Sequence, residues 1–148
     1  MSFTMATSRR GFEVRLLAVP DSVPAVRHML RELLDKLDVA EGRAEEILLA
    51  VNEACANAVV HAYPGISGHI DVAAEDYEGA LMVVVRDAGV GMTPRVDSTG
   101  LGVGLPMIAT IADSVQIDRP ANGGTHVRMR FAHRAQDRPA GRRATWEP

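Results

Sequence analysis

The chain has 148 residues, 47% of them hydrophobic, and a mean hydropathy close to zero, which suits one soluble domain burying roughly 70% of its unfolded surface. Sixteen Lys and Arg against nineteen Asp and Glu give a net charge of −3, so no global basic field is available to recruit nucleic acid. The single cysteine, Cys55, excludes an intrachain disulfide and suits a reducing cytoplasm, and no apolar run approaches the ~20 residues of a membrane span.

Residues 1–10 read as a flexible start. Arg9 and Arg10 lead into polar–apolar alternation rather than the apolar run of a secretory signal. Phe12 to Leu16 alternates with period two, as a half-buried strand does. Asp21 or Ser22 can cap a first helix that tolerates Pro24 in its first turn. Val26, Met29, Leu30, Leu33, Leu34 and Leu37 form its apolar stripe. A second helix is expected from about Glu41 to His61, stopped by Pro64–Gly65. Ile47, Leu48, Val51, Cys55, Ala58 and Val59 face the core, and Cys55 there is a small buried thiol.

Ile70–Tyr77 and Leu81–Arg86 read as strands joined by a turn at Glu78–Gly79. The unbroken apolar run Met82–Val85 suits a central strand covered on both faces or strongly buried. Residues 88–100 are rich in Gly, Pro, Thr and Asp and are expected to form a loop. A third helix follows from about Leu101 to Ser114, with Val103, Met107, Ile108, Ile111 and Ala112 mostly inward. Val115–Asp118 and Thr125–Phe131 form a hairpin across Asn122–Gly123–Gly124. Residues 133–148 hold Arg and acids among Pro, Gly and Ala and read as a disordered tail. The only tryptophan, Trp146, lies there. The expected fold is α+β, with helices on one face of a mixed, mostly antiparallel sheet.

Four short motifs fall at telling places in this order. Asn52–Glu53–Ala54–Cys55–Ala56–Asn57 lies in the second helix, and Asp87–Ala88–Gly89–Val90–Gly91 ends an apolar strand. Gly100–Leu101–Gly102–Val103–Gly104–Leu105 opens the third helix, and Gly123–Gly124–Thr125 opens the last strand. Glu53, Asn57 and His61 are spaced i, i+4, i+8 and share a helical face. Asn57 offers a neutral oxygen for a Mg²⁺ whose other ligands are phosphate oxygens and water. Glu53 can accept a proton from a hydroxyl or water near a terminal phosphate. His61, at the helix C-terminus, suits a structural role towards the dipole. Gly89 and Gly91 permit a sharp turn and a close backbone approach to a ligand. The third motif exposes backbone N–H groups at a helix start, where phosphate binds well. It is neither a Walker loop nor a dinucleotide fingerprint, lacking the Gly-Lys-Ser/Thr of one and the spacing of the other.

Taken together, the four motifs resemble the N box, the two glycine boxes and the terminal Gly-Thr of the GHKL (Bergerat-fold) ATPases. The size and the Glu-Ala-x-x-Asn-Ala form of the first motif resemble the anti-sigma factor serine/threonine kinases. The resemblance covers roughly residues 12 to 132. It implies a two-layer α/β sandwich and an ATP site with Mg²⁺. In that site Asp87 takes a hydrogen bond from the adenine amino group, and Thr125 bonds Asp87 or the base. Gly89, Gly91, Gly100, Leu101, Gly102, Val103, Gly104 and Leu105 would line the nucleotide. It implies Glu53 as catalytic base and Asn57 as the metal ligand. It further implies a cytoplasmic homodimer that switches between a sigma factor and an anti-sigma factor antagonist, with Arg27 at a position resembling a partner-contact arginine. The sequence departs from the family in its lid. Only Met92 to Thr99 separate Gly91 from Gly100, with Arg95 the sole base. A non-enzymatic ATP-dependent binding module and a detached histidine-kinase catalytic domain are the competing readings.

Overall fold

The computed structural model describes residues 4–8, 10–89 and 104–134. The elements in chain order are β1 (Thr4–Ser8), β2 (Gly11–Leu17), α1 (Ser22–Lys36), α2 (Glu41–His61), β3 (His69–Tyr77), β4 (Ala80–Asp87), α3 (Gly104–Ile111), β5 (Ser114–Asp118) and β6 (Thr125–Ala132). The strands form one six-stranded sheet in the order β1-β2-β3-β4-β6-β5. Every pairing is antiparallel, so the mixed sheet expected from sequence is corrected to a wholly antiparallel one among the described residues.

Alternation along the strands decides which face is covered. Ile70, Val72 and Ala74 of β3, Val83 and Val85 of β4, and Val127, Met129 and Phe131 of β6 are all buried. They meet the apolar faces of the helices in one continuous core. From α1 this core takes Val26, Leu30, Leu33 and Leu34, and from α2 Ile47, Leu48, Val51 and Cys55. Burial pushes the Cys55 thiol up to about 12, so it stays protonated and serves as packing. The opposite face of the sheet carries Arg15 and Asp71, paired at 2.7 Å. Met82, 38% exposed, also lies there. The apolar run of β4 therefore does not mark a strand covered on both faces; Met82 and Val84 point to the side without helices.

Two further expectations change. The supposedly flexible N-terminus forms β1, which pairs with β2 from Thr4↔Arg15 to Ser8↔Gly11 while all five of its residues stay exposed. At the other end His133, placed in the tail by its sequence, is anchored. Its side chain is 3% exposed and lies 2.5 Å from the Asp76 carboxylate. The rest of the expected tail, 135–148, with Trp146, lies outside the described residues.

Local signals otherwise act as their chemistry suggests. α2 has the expected bounds, and Pro106 sits in the first turn of α3. α1 begins without a side-chain cap; the Ser22 hydroxyl instead donates to the Leu17 carbonyl at 2.6 Å, tying the helix start to the end of β2. The β3–β4 turn places both Glu78 (φ 50°) and Gly79 (φ 84°) in the left-handed region. That is the backbone of a two-residue hairpin whose twist matches its strands.

Candidate functional site

Asn57, Asp87 and Thr125 come from three different elements and converge on one cleft. It is open, about 250 Å³ including the solvent at its mouth, with Ala54, Asn57, Ala58 and Ala62 of the α2 side facing Val85, Asp87, Thr125 and Val127 of the sheet. The placement follows from the fold. Asp87 is the last residue of β4 and Thr125 the first of β6, and the two are direct partners in the ladder. The second half of α2 lies over this end of the sheet. Its small residues Ala54, Ala58 and Ala62 leave the space that larger side chains would fill. The result is a mostly apolar slot with a carboxylate at its floor, suited to a flat heteroaromatic ring with one donor.

Asp87 is held rather than free. Its carboxylate accepts hydrogen bonds from the backbone N–H groups of Gly89, at 3.1 Å, and of Thr125. Burial raises its carboxyl above the usual carboxylate range, while those two N–H groups and the nearby His126 oppose the rise. Asn57 is 4% exposed, and its amide engages no other described residue. Glu53 lies one turn earlier on α2, half-buried. Thr125 is 1% exposed. Three of the predicted site residues are therefore brought together, with Glu53 adjacent along the helix.

The glycines have more specific reasons than the sequence suggests. A Cβ on Gly89 would fall 1.9 Å from the Ala62 carbonyl oxygen. The glycine there lets the strand end pass the last turn of α2, a packing reason beside the expected one of approach to a ligand. Gly124 has φ +89° and its Cβ would lie 2.2 Å from the Asp87 carbonyl oxygen. It is thus a structural part of the site, legible as one member of the Gly-Gly-Thr motif. Leu105, in the first turn of α3, is partly buried and packs against the core. Gly104 opens α3, while Gly91, Gly100, Leu101, Gly102, Val103 and the short lid Met92–Thr99 lie outside the described residues.

Two anchors, one beside the site and one at the opposite end of α2, have no signal in the sequence. Tyr63, just beyond α2, donates its hydroxyl to the His69 carbonyl at 2.8 Å and accepts from the Ala88 N–H at 2.9 Å. Arg43 is buried at the start of α2 and bonds to Ile111 of α3, to Asp113 just before β5 and to Ala132 of β6. Neither departs from a pattern in the sequence. An aromatic before Pro-Gly and an arginine in a first helical turn are ordinary. Arg27, expected at a partner surface, is half exposed beside Glu45, at 4.0 Å, within an ionic cluster that also joins Arg31 to Glu41 and Glu45.

The donor set can be tested against a divalent metal. No group of three or more His, Cys, Asp and Glu side chains occurs among the described residues, so a cage made wholly of such ligands is not built there. A Mg²⁺ arriving with nucleotide phosphates needs only one or two protein oxygens, and the Asn57 side-chain oxygen fits that need.

The model of the histidine kinase-like ATPase domain matches residues 16–131. The chain belongs to this family. Among its relatives, a serine-protein kinase RsbW from Bacillus velezensis is 31% identical over 141 residues, spanning 84% of this chain and 87% of the relative. An anti-sigma F factor from Clostridium acetobutylicum is 23% identical over 129 residues, or 80% of this chain and 90% of the relative. The crystal structure of the RsbU and RsbW domains of a Mycobacterium tuberculosis protein is similar at a TM-score of 0.64 and 25% identity. It covers 88% of this chain, which spans about a third (32%) of that longer one. The fold is the α+β sandwich of the GHKL ATPases. No helix among the described residues is long and apolar enough to cross a membrane.

Proposed function

We propose that this chain is an ATP-binding serine/threonine protein kinase of the anti-sigma factor type. The observation that carries the reading is the convergence of Asn57, Asp87 and Thr125 on one slot in a histidine kinase-like ATPase domain. Relatives named anti-sigma F factor and serine-protein kinase RsbW support it. The partners would be a sigma factor and an anti-sigma factor antagonist, bound in alternation by a cytoplasmic homodimer. Pull-down with and without ATP, followed by identification of the captured proteins, tests the alternation.

In this reading the adenine amino group donates to the Asp87 carboxylate. Guanine presents a carbonyl at the same position, so acceptor would face acceptor and binding would suffer. The Thr125 hydroxyl stands beside Asp87 and the base. The Asn57 oxygen would hold a Mg²⁺ arriving with the nucleotide, which would supply neutralisation of phosphate charge. Glu53 takes the proton of the incoming serine hydroxyl as its oxygen bonds to the γ-phosphorus, and the bond from that phosphorus to the β–γ bridging oxygen breaks to release ADP.

Calorimetry with ATP and GTP in the presence of Mg²⁺ is the direct test. ATP is expected to bind more tightly, and Asp87→Ala to lose on the order of 1–3 kcal/mol of that binding. Equal affinity for the two nucleotides would remove the reading.

The chemistry is tested separately. Glu53→Gln keeps the size of the side chain but cannot accept the proton. It is expected to bind ATP almost as the native protein does while transfer of labelled phosphate to an antagonist is lost. Transfer at the native rate would show that Glu53 is not the base.

One observation favours a second reading. The segment Met92–Thr99 is short and holds a single base, Arg95, which leaves little to enclose the γ-phosphate or neutralise its charge. A nucleotide-dependent binding module without phosphotransfer would show ATP-sensitive capture of a partner and no labelled product.

A further inference from the structure

We propose that Tyr63 is a positioning residue for the base-recognising carboxylate, acting through the peptide that follows Asp87; the inference rests on the reading of the slot as an adenine site. Tyr63 follows α2 by two residues, and its ring stands against Gly68. A Cβ there would fall 2.2 Å from the ring, so the missing side chain of Gly68 makes the room that Tyr63 occupies. This fixes the hydroxyl between two strand ends. It donates to the carbonyl of His69, the first residue of β3, at 2.8 Å. It accepts from the N–H of Ala88, the residue after β4, at 2.9 Å.

The position of Ala88 is what gives this contact meaning. The β3–β4 ladder ends at Ile70↔Asp87, so the Ala88 N–H lies beyond the last strand pair. The Tyr63 hydroxyl gives it the partner that β3 no longer provides. Holding the Asp87–Ala88 peptide fixes the backbone on the C-terminal side of Asp87. It also places the next N–H, that of Gly89, which donates to Asp87 Oδ1 at 3.1 Å. The carboxylate is thus aimed by a relay that begins at the Tyr63 hydroxyl. On its other side Gly124 closes against the Asp87 carbonyl, so without the hydroxyl only the Tyr63 side of the turn is released.

Tyr63→Phe removes the hydroxyl and leaves the ring against Gly68. The freed Ala88 N–H and His69 carbonyl lie where water can reach them, so Tm should change by less than about 4 °C. The expected reading is in the ligand. ATP affinity falls about three- to tenfold, the worth of one hydrogen bond made less well. The affinity for purine riboside triphosphate, which lacks the 6-amino group, stays the same because it offers Asp87 no donor. In an Asp87→Ala background the further change Tyr63→Phe has no effect on ATP binding.

The two ways of failing are distinct. Native protein that binds ATP and purine riboside triphosphate equally well overturns the adenine reading, and the role of Tyr63 with it. Native protein that prefers ATP, with the preference undiminished in Tyr63→Phe, overturns the positioning role alone. Equal losses for both nucleotides, or an undiminished Tyr63→Phe effect beside Asp87→Ala, also overturn it by assigning Tyr63 to the general shape of the slot.

Discussion

Arg43→Ala is expected to lower the unfolding free energy by about 3–5 kcal/mol, the range for breaking a buried charge pair by removing one partner. The arginine side chain is 8% exposed, and its guanidinium is satisfied on every side. Nε donates to the Ala132 carbonyl at 2.9 Å, one terminal nitrogen to the Ile111 carbonyl at 2.9 Å and to Glu46 at 2.8 Å, and the other to Asp113 at 3.0 Å. The cation also lies 5.9 Å from the Phe131 ring centroid. Alanine would leave Asp113, 15% exposed, with the Ala132 N–H as its remaining partner and would take the Arg43 donors from the buried Ala132 carbonyl and the partly buried Ile111 carbonyl. Arg43→Lys should recover only part of the loss, since one ammonium cannot reproduce the planar fork. Denaturant titration checks this; a midpoint within error of the native protein would refute the assignment of Arg43 as the tie between α2, α3 and the β5–β6 hairpin.

The second large effect is expected at Gly124. An L-residue at φ +89° costs about 1–2 kcal/mol by itself, and its Cβ would stand 2.2 Å from the Asp87 carbonyl oxygen and 3.0 Å from the Ala88 Cα. Both neighbours are backbone, so no side chain can swing aside. The strand ends must separate, and that moves Asp87 relative to Thr125. Gly124→Ala should therefore lower stability by at least ~2 kcal/mol and weaken ATP binding more than tenfold. Gly123→Ala shares the unusual φ, +94°, but its Cβ would meet nothing closer than 3.9 Å; it should cost stability with far less effect on binding. If the two variants bind ATP alike, the contact with Asp87 is not what makes Gly124 necessary.

The polar residues lining the cleft were legible because they stand where elements change or break the pattern around them. Asp87 ends an apolar run, Thr125 follows two glycines, and Asn57 shares a helical face with Glu53; all three are chemical departures from the pattern around them. α2 was legible over its full length because its apolar period persists until Pro64–Gly65. What escaped was either exposed or fixed by distant partners. β1 lies on the sheet edge with every residue exposed, so burial imposes no alternation on it. Met82 and Val84 are apolar on the uncovered face, which made β4 read as buried on both sides. Arg43 reads as a surface charge because the groups that bury it, Ile111, Asp113 and Ala132, lie 68, 70 and 89 residues further along. Tyr63 is informative only once His69 and Ala88 are known to flank its hydroxyl.

The strand order has a kinetic side. β3 and β4 are joined by the two residues Glu78 and Gly79, so their pairing closes a minimal loop. β2 must find β3 across the whole helical pair: Arg15 and Asp71, partners in the ladder, are 56 residues apart in sequence. The entropy lost on closing such a long loop is spent before its contacts form. Of the strand ladders, the seam between β2 and β3 therefore closes the longest loops. Of the elements that build the cleft, α2 lies within the loop that this seam closes, while β4 and β6 follow it and bring Asp87 to Thr125 across a shorter stretch of chain than separates Arg15 from Asp71.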